Sequence, residues 1–200
     1  SEENIMPLGA NKAAIMGVAG VSTADVVLLS SQTASSDASL TFTGLMTSTY
    51  GEYIFRFYNM NPESDNTHFT FQVNVVGASG YNETITSTFF YAQLSEGHSS
   101  AALAYDPAVD QAQGTAYQTI GYGIGSDADQ SGVGELHIFN PSSTTYVTHF
   151  LSQFHTYHAS DYSNNHFVGG YINATGAVDD INFKFASGDF DGTIKMWGVK

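Results

Sequence analysis

The sequence predicts an all-β protein, a jelly-roll-like antiparallel β-sandwich with an extended N-terminal arm. Three observations carry that expectation. Residues 67–76 alternate, with Phe69, Phe71, Val73 and Val75 on one face and His68, Thr70, Gln72 and Asn74 on the other. A period of two over this length marks a half-buried strand. The aromatic content, 14 Phe and 12 Tyr, suits pleated strands better than helices. Clusters of turn residues recur at intervals of about 8–14 residues, the spacing of sandwich or barrel strands.

The elements follow in chain order. Residues 1–24 are small, Gly- and Ala-rich and without a clear period. They read as an arm: Gly17, Ala19 and Gly20 permit close backbone approach, while Ile5, Met6, Leu8, Ile15 and Met16 offer apolar contacts. The arm is expected to anchor the chain on another surface and to add little to the sandwich core. The sandwich domain is expected over 25–200. Residues 25–31 read as a strand, 32–37 as a polar turn, and 38–43 as a strand with Leu40 and Phe42 inward. Residues 53–60 set Tyr53, Phe55 and Phe57 against Ile54, Arg56 and Tyr58. Both faces are apolar enough to place that strand centrally in a sheet. The link 61–66 is turn chemistry throughout, with Pro62 fixing φ and Asn and Asp bonding back to the backbone. Strands 53–60 and 67–76 therefore read as a hairpin with a long loop.

Beyond a Gly/Ser/Asn loop at 77–82, residues 84–94 form a strand with Phe89 and Tyr91 on one face and Phe90 on the other. The short apolar run 101–105 fits strand or helix. Residues 106–114 are loop and 115–121 strand. Residues 121–134 are the most turn-like segment of the chain, before the sheet resumes at 135–140. Residues 144–157 show a helical stripe in Val147, Phe150, Leu151 and Phe154, but their β-branched start and the all-β context make them a strand. After a loop at 159–165, strands are expected at 166–173, 180–186 and 192–199. That makes about ten strands and no helix. Strand parity marks Phe42, Phe55, Phe57, Phe69, Phe71, Phe139 and Trp197 as core.

Two hundred residues suffice for one sizeable core. Only 12% of residues are charged, about half the usual share. They comprise 19 acidic against 5 basic groups, for a net charge of −14. Binding of nucleic acid by a basic face is excluded on that balance, and anionic membrane surfaces are disfavoured. The acidity reads first as solubility and second as a capacity for cations. The absence of cysteine removes disulfide staples and thiolate metal sites. Ser1, Glu2 and Glu3 are acidic where a secretory leader is basic, and Pro7, Gly9, Asn11 and Lys12 break the apolar stretch. The initial Ser reads as the product of start-Met removal after cytosolic synthesis.

Candidate chemistry is sparse. Asp127, Asp129, Ser131 and Gly132 copy the first half of a calcium loop, in which alternate carboxylates point oxygens at one hard cation. However, Ile138 stands where the bidentate Glu belongs, and Glu135 is off that position. The segment is read as an Asp/Gly-rich turn. Asp189 and Asp191 precede a strand as a turn signal, and adjacent Asp179 and Asp180 point apart in an extended chain. On a strand, His149 and His155 share a face but stand about 20 Å apart, and His155 and His158 face opposite ways. The seven His are therefore expected at surfaces or interfaces, with no metal site. Gly121, Gly123 and Gly125 lack the third glycine spacing of a dinucleotide fingerprint. No nucleophile elbow occurs, and nothing marks a carboxylate pair for glycoside hydrolysis. No catalytic, cofactor-binding or metal-binding residue is assigned, and no cofactor is expected.

Several runs carry a family resemblance: Leu28 to Ser35, Leu40 to Gly44, Tyr50 with Tyr53, Phe55 and Phe57, Tyr81 with Thr84 to Phe89, Ile138 to Ser143, and above all Gly192 to Val199. Together, over residues 25–200, they resemble small structural proteins of marine tailed bacteriophages, including cyanophages, of the virion or tail-fibre-like kind. The resemblance implies a sandwich fold and a virion setting, and it transfers no site residue. The expected function is a structural protein on the virion exterior, a capsid decoration or fibre subunit made in the host cytoplasm. It is expected to be a homotrimer, with other virion proteins held through residues 1–24. The alternative is a host-glycan-binding module, which a shallow groove with exposed Tyr and His would favour. A glycan-degrading enzyme stands third and needs a cleft with two carboxylates about 5–10 Å apart.

Overall fold

The computed structural model describes residues 25–200. The predicted arm at 1–24, and with it the anchoring expectation, lies outside the described residues. Thirteen strands and no helix make up the described fold. They are β1 (Val26–Asp37), β2 (Leu40–Phe42), β3 (Glu52–Pro62), β4 (Thr67–Val75), β5 (Ile85–Ser95), β6 (Ala101–Tyr105) and β7 (Ala112–Gly114). Then follow β8 (Gln118–Ile124), β9 (Gly132–Phe139), β10 (Thr148–His158), β11 (Tyr162–Ile172), β12 (Val178–Phe185) and β13 (Phe190–Val199).

All the ladders are antiparallel, and the strand order resolves into two packed layers. One layer begins β1-β13-β3-β9, and the other is β2-β12-β4-β8. The first strand pairs with the last, and the chain alternates between layers from β1 to β4. This is the all-β antiparallel, sandwich-like arrangement that the sequence predicts. Two excursions enlarge it. Strands β5–β7 leave after β4, and β10–β11 leave after β9. Because β10 pairs with β9, β11 with β10, and β5 with β11, these excursions extend the first layer into a broad sheet. A single pair, His158 with Ile124, joins β10 to β8 at the corner between layers.

Strand parity explains why the layers stack. Phe55 and Phe57 of β3, Phe69 and Phe71 of β4, and Phe42 of β2 are buried as expected. They meet Phe183 of β12, which packs with all five rings at centroid distances from 5.2 to 6.4 Å. Aromatic pairs at such spacing are stabilised beyond their buried area. Phe71 lies edge-on to Phe150 of β10 at 5.1 Å, and Phe154 packs on Phe69 at 5.6 Å.

Several expectations are corrected. Strands β3 and β4 do not form a hairpin. They lie in opposite layers, and Phe57 meets Phe69 across the core at 5.1 Å rather than along a ladder. Two adjacent strands with strongly apolar faces satisfy the same alternation either way, so period alone does not distinguish pairing from stacking. Phe139 and Trp197 are only half-buried, because Leu136 and Ile138 of β9 and Ile194 and Met196 of β13 take the inward parity. Residues 32–37 continue β1 instead of turning. Their polarity belongs to an outer strand, where Thr33 bonds Thr193 through the hydroxyls at 3.0 Å. The turn-like 121–134 segment contributes to both β8 and β9. Its glycines make room for Phe154: a Cβ at Gly121 or Gly134 would stand 2.8 or 2.7 Å from that ring.

Candidate functional site on the broad sheet

The two layers present different outer faces. On the small sheet, β4 turns out Thr70 and Gln72, and β12 turns out Asn182 and Lys184. These side chains are consumed by the fold. Gln72 is fully buried. Its Nε2 donates to the carbonyls of Glu83, Thr115 and Ala116 at 3.0, 3.3 and 3.0 Å, and its Oε1 accepts the Val73 N–H at 2.8 Å. The Tyr117 hydroxyl donates to Asn182 Oδ1 at 3.0 Å, while Asn182 Nδ2 donates to Thr41 Oγ1 at 2.7 Å. Lys184 lies 4.1 Å over the Tyr117 ring. Connecting loops thus close over this face and bond Gln72 and Asn182.

The broad sheet is bare on its outer side. Eleven large apolar side chains stand out as exposed among the described residues, and all but Val76 and Tyr146 lie on this face. Register arranges them in rows. One row runs Leu28, Trp197, Ile54, His137, Leu151, Gly169, Thr88 from β1 to β5. The next runs Lys195, Arg56, Glu135, Gln153, Phe167, Phe90, Tyr105. The strands alternate, so every side chain in these rows points away from the core.

Two hollows open on this face. One, of about 490 Å³, is walled by Phe90, Phe139, Leu151 and Phe167, with Gly169 and Thr88 low between them. The other, of about 470 Å³, is bounded by Arg56, Tyr58, Val133, His155 and Asn165. Both are lined by Glu135 and Gln153, whose row divides them into the two parts of a shallow trough. It crosses the seam where β9 of the two-layer framework meets the added strands β10, β11 and β5. Phe90 and Phe167 stack at 5.0 Å on one flank, and His137 and Phe139 at 6.2 Å on the other. The charged groups in and beside the trough are paired with one another or with rings. Glu135 pairs with Arg56 at 3.5 Å and with His137 at 3.4 Å, and His137 Nδ1 lies 2.5 Å from Glu52. Arg56 also sits over the Trp197 ring and Lys195 over Tyr58.

The residues singled out from the sequence lie apart from this trough, with the exception of Glu135 and His155. Asp127 and Asp129 occupy the turn between β8 and β9, which Gln130 and Asn61 organise. Asp127 N–H donates to Gln130 Oε1 at 3.2 Å, and Asn61 Nδ2 donates to the Gln130 carbonyl at 2.6 Å. Glu135 is drawn away to Arg56. Among the described residues no three His, Asp or Glu side chains gather to hold a metal ion. Asp191 accepts the Ser36 N–H at 2.8 Å and Asp180 that of Gly44 at 2.8 Å. Both are structural ties. Burial and the neighbouring Asp180 raise the Asp179 carboxyl above its ordinary range.

The histidines correct the surface expectation. His149 and His155 are exposed on β10, His155 bonded to Ser163 Oγ at 2.9 Å. His166 is buried, at 1% exposure, with neither ring nitrogen hydrogen-bonded. It adjoins a half-buried aromatic cluster: 5.3 Å from buried Phe89 and 6.5 Å from Tyr122, itself stacked on His68 at 4.4 Å and His158 at 6.1 Å. Burial pushes His166 down to about 3 and lowers His68 and His158 as well. The parity of His166 with Asn164, Val168 and Ile172, all buried, is the signal that marks it as inward.

No family model matches the chain, and neither curated proteins nor solved structures give a significant match.

Proposed function

We propose that this chain is a non-enzymatic structural protein on the exterior of a bacteriophage particle, a capsid decoration or fibre subunit. In this reading it assembles as a homotrimer, is held to its neighbours through residues 1–24, and turns the outer face of the broad sheet away from the particle. One observation carries the reading: apolar exposure is concentrated on a single sheet face while the opposite face is sealed by polar bonds. Faces of that kind mark contact with another molecule. Jelly rolls, one form of antiparallel two-layer β fold, recur in viral capsid and lectin domains, and the resemblance of residues 25–200 supports the virion setting. The test compares the full chain with one beginning at Val21, by light scattering and by mass spectrometry of purified particles. The full chain is expected to be a trimer found in particles. The shortened chain is expected to keep its melting temperature but fail to join either trimer or particle. A full chain that is monomeric at micromolar concentration, or absent from particles, overturns the reading.

The trough favours a second role for the same displayed face, recognition of a host glycan. Phe90, Phe139 and Phe167 wall one part, Arg56, Glu135, Gln153, His155 and Asn165 supply polar groups to the other, and both are open to solvent. This is the composition of small-molecule sites.

A further inference from the structure

We infer that the trough across β3, β9, β10, β11 and β5 is a binding site for an uncharged, linear oligosaccharide. The inference rests on the recognition reading above and names its ligand class. Length is the first argument. The two hollows adjoin on either side of the Glu135–Gln153 row, and the five strands they cover, at about 4.8 Å spacing, span about 19 Å. A path of that length suits a chain of several sugar rings better than a single compact ligand. Charge is the second. The protein carries a net charge of −14, yet along the trough Arg56 and Lys195 are set against Glu52 and Glu135. The cations are already engaged by Glu135, Trp197 and Tyr58. An anionic glycan finds no net positive charge there, and the acidity of the whole chain repels it. A basic partner finds more negative charge elsewhere on the molecule.

Backbone accounting is the third argument. Strands β3, β9, β10 and β11 are each paired on both sides, so no sheet edge opens in the trough. An extended peptide has no backbone ladder to join. What the trough offers is apolar ring surface interleaved with planar polar groups. Gln153 reaches Asn165 only at 3.4 Å, so both amides keep bonding capacity for hydroxyls. Gly169 sets the depth. A Cβ there would meet only the Leu151 side chain, at 3.2 Å, so a larger residue fills the hollow rather than disrupting the sheet.

The test uses the full 200-residue chain. Maltohexaose, cellohexaose, mannohexaose and chitohexaose are titrated beside hexagalacturonate and sialyllactose. Binding is followed by amide chemical shifts and by the fluorescence of Trp197. At least one uncharged hexaose is expected to bind, with shifts centred on Gln153, Phe167 and Phe90. Gly169→Val and Gln153→Ala are each expected to weaken it by about tenfold, the effect of one ordinary contact or hydrogen bond. Tyr146→Ala, which is exposed off this face, should leave it unchanged. Circular dichroism and melting temperature establish that each variant is folded. The inference is overturned if no uncharged hexaose binds at millimolar concentration, if only the charged ligands bind, or if folded Gly169→Val and Gln153→Ala bind as the parent does. It is also overturned if light scattering shows copies associating through this face, with Gly169→Val dispersing them. A chain that trimerises and enters particles but ignores the uncharged hexaoses keeps the structural reading and loses this ligand. A chain that binds them but is absent from particles does the reverse.

Discussion

The outer faces of the two sheets are built from the same period-two grammar and end in opposite states. On the small sheet, the polar outward residues Gln72 and Asn182 are buried by loops and find partners: Gln72 makes four hydrogen-bond contacts to backbone groups, and Asn182 is bonded at both ends of its amide. On the broad sheet, apolar outward residues such as Leu151, at 57% exposure, and Leu103, at 75%, meet no covering element. A polar residue is thus part of the fold and an apolar one is not, the reverse of the usual association. The lesson is that coverage, not residue type, decides whether a side chain contributes to stability. Coverage depends on where the loops run.

The comparison has a ceiling set by the core that both sheets share. Phe183→Ala removes the ring on which Phe42, Phe55, Phe57, Phe69 and Phe71 converge, and should cost about 3–5 kcal/mol in urea unfolding. A loss below about 2 kcal/mol would show that the sheets hold together without it.

The next largest effect belongs to the sealed face. Gln72→Ala strands the carbonyls of Glu83, Thr115 and Ala116 inside the fold, and should cost about 1–3 kcal/mol. Hydrogen exchange should speed up at residues 115–117 in the same variant. If stability is unchanged, the loops are not held by Gln72 and the two faces are less different than they look.

Acid sharpens the comparison from inside. In the unfolded chain His166 titrates near the ordinary histidine value of about 6.5, whereas in the folded chain burial holds it neutral down to about 3. Between those values the unfolded state binds more protons, so stability rises with pH and falls as the solution is acidified. His68 and His158 are lowered by the same cause and act in the same direction. Asp179 acts the other way, because its raised carboxyl favours the folded state when protonated. Denaturation midpoints measured from pH 7 to pH 4 should therefore decline, and His166→Leu should make the decline shallower. Parallel curves for the two proteins would contradict the buried, neutral assignment.

The smallest effect is expected on the bare face. Leu151→Ser should change stability by less than about 0.5 kcal/mol, as surface substitutions usually do, while lowering the binding of a hydrophobic dye. A loss comparable to that of Gln72→Ala would mean that Leu151 is packed after all.

Much of the architecture was legible because burial on one side of a strand writes itself into alternate residues. Leu40, Phe42, Phe55, Phe57, Phe69 and Phe71 were placed inward by parity, and β10 was recognised as a strand despite its helical stripe. Phe139 and Trp197 were misplaced because each neighbours apolar residues of the opposite parity, so the local pattern fits two registers. His166 was missed as a buried group because its identity suggested water while its parity with Val168 and Ile172 pointed inward. The trough had no sequence signal of its own. Phe90, Phe167, Gln153, Arg56 and Gly169 are scattered over four strands and become neighbours only through register.

What the sequence determined by itself is the all-β class and most of the strands, the inward face of most of them, and the acidic, cysteine-free composition. Each of these depends on residues close together in the chain. What only the tertiary structure decided is which strands pair and which stack, that the two excursions join to widen one sheet, and that loops seal one outer face and spare the other. Those outcomes depend on ladders between residues as far apart as Leu28 and Trp197. The free energy of such contacts comes from burial shared by distant segments, and no local pattern records it.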